Sequence, residues 1–159
     1  MSGKPLSDYH LAQAYYYKGE TSRAEAVLEQ LGRTSSASNS ARARSSLASI
    51  LAARGQRSRA AEIVRAVTGG GYIDHHVAYG LGTAEALLGR REQAVDWLRR
   101  AAGTGFPCHP WYARDPLLDP LRKHPDFERF MGELEAARRA ALARYAVALP
   151  HVPEQVKQR

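Results

Sequence analysis

Three glycines, Gly19, Gly55 and Gly89, stand 36 and 34 positions apart, and each is followed five residues later by an alanine: Ala24, Ala60 and Ala94. Apolar stretches precede each glycine (Leu11 to Tyr15, Leu47 to Leu51, Leu81 to Glu85) and follow each alanine (Val27 to Leu31, Ile63 to Val67, Val95 to Ala101). Self-similarity at this period is the signature of a chain built from stacked supersecondary units, and it restricts the fold more than any composition figure.

One unit can be read physically. A first helix must stop sharply so that a second can fold back on it. Glycine closes a helix C-terminus in the left-handed conformation without a Cβ clash. Small residues on the first helix (Ala12, Ala48, Gly82) and on the second (Ala24, Ala60, Ala94) let the pair approach closely. Ser22 with Glu25 has the spacing of a capping box. The periodicity predicts helices near 6–18, 21–32, 39–54, 57–68, 74–88 and 91–102. Thr34 to Asn39 and Gly69-Gly70-Gly71 read as the loops between units. A hairpin of this kind cannot bury its apolar stripe alone, so units must stack.

The order Leu11-Ala12, then Tyr15, Gly19 and Ala24, resembles the tetratricopeptide repeat. Leu51 and Glu85 stand where the second and third units would carry the aromatic, and the early tryptophan and closing proline of the pattern are missing. The resemblance implies an all-α chain: a right-handed α-solenoid of three helix hairpins, about 6–32, 39–68 and 74–102, within residues 1–103. A proline-rich connector is expected over 104–118, with Phe106 to Trp111 as loop. Capping helices over 119–149 would follow, starting at Asp119-Pro120 and His124-Pro125, because Asp before Pro is a strong helix start. From Asp126 the positions Phe127, Phe130, Met131, Leu134, Ala141, Leu142 and Tyr145 fit one amphipathic helix covering the last unit. Residues 150–159 read as a tail. The run Asp115-Pro116 through Phe127 is also similar to the segment closing tetratricopeptide arms of bacterial multidomain kinases, cyclase-like regulators and transcriptional activators.

The 44% hydrophobic content fits a globular chain. No apolar run approaches the ~20 residues of a membrane span, and the N-terminus has no secretory pattern. These point to a cytoplasmic chain without a membrane. The single Cys108 excludes an intrachain disulfide. The net charge of +7 would attract an anion. Arg42, Arg44, Arg54, Arg57, Arg59 and Arg65 cluster in the second unit, but no aromatics are interleaved with them as a base-stacking platform requires.

The resemblance implies that first helices line a concave groove. Carried over position by position, the groove residues are Leu6, Tyr9, Gln13, Tyr16 and Tyr17; Arg42, Ser45, Ser49 and Ala52; and His76, Tyr79, Thr83 and Ala86. Tyrosines offer rigid contact area with a polar tip. Tyr15 is expected to pack inside; for Tyr9, Tyr16 and Tyr79 groove and packing readings both stand. The positions that grip a carboxylate tail in one subset of the family read Tyr9, Gln13, Arg42 and Ser46, with one positive charge, which argues against a chaperone-tail receptor. His75-His76, Cys108-His109, His124 and His151 lack metal-ligand spacing. Gly69-Gly70-Gly71 is followed by no Gly-Lys-Ser/Thr. Cys108 beside His109 lacks a third group for nucleophilic catalysis. The expected function is therefore a non-catalytic module, without cofactor or metal, that binds an unidentified protein or peptide. The similarity of its closing segment makes the arm of a larger bacterial regulatory protein one expected setting, and self-assembly, or nucleic-acid or anion binding through the arginine-rich second unit, are the alternatives.

Overall fold

The computed structural model describes residues 5–148, with side chains described from Asp8 to Tyr145. The expected tail and the side chain of Leu6 lie outside the described residues. Among the described residues every regular element is a helix. Three hairpins come first: α1 (Pro5–Tyr17) with α2 (Thr21–Thr34), α3 (Ala37–Ala53) with α4 (Arg57–Thr68), and α5 (His75–Leu87) with α6 (Arg91–Gly103). A short helix α7 (His109–Arg114), a 3-10 helix (Pro116–Leu121) and the long α8 (Pro125–Ala148) complete it.

The predicted turns form by one mechanism. Gly19, Gly55 and Gly89 have φ of 82°, 78° and 82°. At each, the glycine N–H reaches back three residues and the next N–H reaches back five, to the carbonyls of Tyr15, Leu51 and Glu85 at 2.8, 2.9 and 2.9 Å. This double closure satisfies carbonyls that a helix end otherwise leaves orphaned. The backbone oxygen at this position makes the same closure whether the residue is Tyr15, Leu51 or Glu85.

The small residues sit where the helices touch. Ala12, Ala24, Ala48, Ala60 and Ala94 are all fully buried. A Cβ on Gly82 would fall 2.7 Å from Leu98 Cδ2 and 3.2 Å from the Ala94 carbonyl. The second and third hairpins join through their first helices, α3 on α5, whereas the first joins the second mainly through α2 on α3, with a smaller contact of α1 on α3. The core is continuous from Tyr9 through Leu28, Leu51 and Val64 to Leu81. A second cluster joins α5 and α6 to Tyr112, Leu118, Leu121, Phe127 and Phe130.

Local details differ from the sequence reading. Ser22 and Glu25 form no capping box: α2 begins after Glu20 with no side-chain cap, and Glu25 instead receives Arg54 and Arg59. Residues His109 to Arg114 are helical rather than loop, because Pro110 stands in the first turn, where it costs no hydrogen bond. Asp115, not Asp119, starts the next element. Its carboxylate accepts from Leu117 N–H at 2.9 Å, which leaves Pro120 inside the 3-10 turn. In α8, Phe127, Phe130 and Leu134 are buried against α6 and α7, while Leu142 and Tyr145 are exposed. Only the first half of α8 covers the last hairpin.

Candidate functional site

The first helices α1, α3 and α5 carry the residues expected to line a groove, and the structure divides them. Ser45, Ser49 and Thr83 are buried between α3 and α5. The Ser49 hydroxyl donates to the Gly80 carbonyl at 2.9 Å and lies 2.7 Å from Thr83 Oγ1, while Ser45 Oγ donates to the Arg42 carbonyl at 2.9 Å. A Cβ on Gly80 would meet Ser45 at under 3.0 Å, so α3 and α5 approach too closely for these hydroxyls to face outward. Ala52 and Ala86 are likewise buried. These five positions hold helix against helix and present nothing to a ligand.

Arg42 is committed elsewhere. Its guanidinium holds Asp74 at 2.6 Å and Tyr72 at 3.3 Å. Asp74 in turn caps α5 by accepting from Val77 N–H at 2.9 Å. Burial alone would raise the Asp74 carboxyl, but that N–H and Arg42 outweigh it and hold it below the usual carboxylate range. The remaining arginines of the basic stretch are also largely spent. Arg54 and Arg59 bind Glu25, Arg59 also binds Glu29, and Arg57 donates to the carbonyls of Leu87 and Leu88.

The expected groove holds the chain's own C-terminal segment. The ring of Trp111 stands 5.8 Å from Tyr17 at an interplanar angle of 89°. Phe106 and Tyr112 each lie 5.3 Å from Tyr79, and Tyr112 continues to Phe130 at 5.4 Å. The Tyr79 hydroxyl donates to the buried carboxylate of Asp115. An aromatic chain thus connects α1 to α8 across the mouth of α5. Such edge-to-face pairs add roughly 0.5–1.5 kcal/mol each beyond their buried area. Arg122 locks the segment, donating to the carbonyls of Tyr112 at 2.7 Å and Asp115 at 2.8 Å. Burial, followed by the Asp115 charge, pushes the hydroxyls of Tyr17 and Tyr79 far above the ordinary phenol range.

Beneath this segment the groove narrows to a slot of about 30 Å³ between Tyr9, Tyr16, Ser46 and Leu117, room for a water molecule. The Tyr9 hydroxyl accepts there from Ser46 Oγ at 3.2 Å and Gln13 Nε2 at 3.3 Å. Tyr15 packs partly buried against the core, with Arg23 stacked 5.6 Å over its ring.

Cavities open on either side of Trp111. One, of about 200 Å³, is lined by Tyr9, His10, Gln13, His76, Tyr79, Phe106 and Trp111. Burial first, and the neighbouring His75 next, lower the His76 imidazole, which favours its neutral form. The other, of about 420 Å³, lies between Tyr17 and the segment from Cys108 to Pro116. Of the residues expected from sequence, Tyr9, Gln13, Tyr16, Tyr17, His76 and Tyr79 therefore meet around one face. Phe106, Trp111, Arg114 and Asp115 join them from a stretch read as connector. The signal for these was present: three large aromatics in ten residues of proline-rich chain need a surface to cover.

Among the described residues no group of three His, Cys, Asp or Glu could hold a metal, and no helix is long and apolar enough to cross a membrane. The chain matches no protein-family model, no curated protein and no solved structure.

Proposed function

We propose that the chain is a right-handed α-solenoid of tetratricopeptide type, without catalytic activity, that binds a partner protein at the edge of its concave face. The observation that carries this reading is the threefold recurrence of one closed hairpin, with the first helices α1, α3 and α5 side by side. Stacked hairpins of this kind leave one face for recognition. Because the segment from Phe106 to Leu117 fills the groove, an extended peptide does not lie along it. The partner instead inserts a side chain into the 200 Å³ cavity beside His10, Gln13 and His76. Its aromatic walls and few polar groups have the character of a recognition pocket.

Selection of a random peptide library on the immobilised chain tests this. Enriched peptides should lose most of their affinity for a His10→Ala/His76→Ala variant whose melting temperature is unchanged. Recovery of no peptide, or of peptides indifferent to both changes, would sink the reading. A second reading, self-assembly, is favoured by the exposed Leu142 and Tyr145 of α8. Sedimentation of Leu142→Lys against the wild type decides it, since a monomer in both removes it.

A further inference from the structure

The larger cavity has a composition that the peptide reading does not use. Tyr17 and Trp111, 43% and 38% exposed, stand at right angles to each other and form two walls of a space of about 420 Å³. Cys108 and two prolines add apolar surface, and Asp115 and Arg114 complete the lining. Asp115 is 4% exposed. It accepts from the Tyr79 hydroxyl and from Leu117 N–H, and among the described residues it pairs with no lysine, arginine or histidine. Arg122 reaches only the Asp115 backbone carbonyl, so the carboxylate is held by neutral donors alone, and taking an ion out of water is costly. Arg114 is exposed on the same lining and likewise makes no ion pair among the described residues.

We propose that this cavity binds a small zwitterion, an alkylated ammonium carboxylate, with its ammonium against Tyr17, Trp111 and Asp115 and its carboxylate on Arg114. An aromatic wall attracts a cation through the negative face of its ring, and a trialkylammonium group also buries its methyls against the apolar surface of Tyr17 and Trp111. The cavity volume falls within the range that holds small ligands. A bare cation would meet Arg114 unfavourably, and a bare anion would meet Asp115; only a ligand with both charges suits the pair. The inference does not rest on the peptide reading, since the 420 Å³ space shares only Trp111 with the His10–His76 pocket and its charged groups line it alone.

Calorimetric titration of the full chain with betaine, choline and tert-butylacetate, the uncharged-head isostere of betaine, tests it. Betaine should bind at least about tenfold more tightly than tert-butylacetate, the ratio expected from a partly desolvated cation–π site. Choline should be weaker than betaine by about threefold, the worth of an exposed ion pair. Tyr17→Leu should weaken betaine about tenfold, beyond the small drop in thermal melt expected from losing its edge-to-face contact with Trp111, and Asp115→Asn should do the same if it folds. Tert-butylacetate binding as tightly as betaine, choline matching betaine, Tyr17→Leu leaving betaine unaffected, or no betaine heat at any concentration would each overturn the proposal.

Discussion

Replacing Gly80 by alanine tests the contact on which the hairpin stack depends. Gly80 lies inside α5, where alanine is intrinsically favoured over glycine by about 0.5–1 kcal/mol. Against that, its Cβ would stand 2.6 Å from Ser45 Oγ, 2.8 Å from Ser45 Cβ and 2.9 Å from the Ser45 carbonyl carbon. The hydroxyl can rotate away, but the last two atoms belong to α3 itself and cannot. Relief requires α3 and α5 to part by several tenths of an ångström, which also lengthens the 2.9 Å bond from Ser49 to the Gly80 carbonyl. Overpacking of this kind costs about 1–3 kcal/mol, so after the propensity gain the net loss runs up to about 2.5 kcal/mol and centres at about 1.2 kcal/mol. For a chain of this size the central value lowers the melting temperature by about 2–5 °C. Gly132→Ala is the matched control. It too lies in a helix, but nothing comes within 4 Å of its Cβ, so it should raise stability by about 0.5–1 kcal/mol. Thermal and urea melts of the two variants should therefore move in opposite directions. If Gly80→Ala stabilises as Gly132→Ala does, the α3–α5 approach described above is wrong.

Gly55→Ala should cost about 1–2 kcal/mol in urea denaturation although no atom lies near the added Cβ, because the cost is the left-handed backbone alone. Asp74→Asn keeps the cap on α5 but removes the charge paired with Arg42, and should lose about 1 kcal/mol at neutral pH. Since the Asp74 carboxyl is held below its ordinary value, that contribution is complete above the normal carboxylate range and disappears as pH falls through the lowered one. The gap between wild type and variant in urea midpoint should therefore close on acidification, and a gap that widens refutes the assignment. Glu25→Gln/Glu29→Gln releases Arg54 and Arg59 from their partners, so the variant should elute from heparin at higher salt than the wild type. Equal elution would show that those arginines are free already.

The sequence by itself determined the local architecture. Helix boundaries follow from apolar periodicity, and the three turns follow from glycine, because these depend on interactions within a few residues. The hairpin pairing follows as well, since a short turn leaves the second helix no other surface. What tertiary structure alone decided is which polar side chains stay free. Ser45, Ser49 and Thr83 have the chemistry of recognition residues, yet the absence of a side chain at Gly80 draws α3 onto α5 and uses them up inside. Arg42 has the charge for a ligand but is taken by Asp74, 32 residues away. Trp111 and Asp115 looked like connector and became walls of the candidate site, because the segment after α6 folds back to Tyr17 at the far end of the stack. Short-range patterns specify helices and turns, whereas the accessibility of a polar group depends on the distance between two elements that the sequence does not place next to each other.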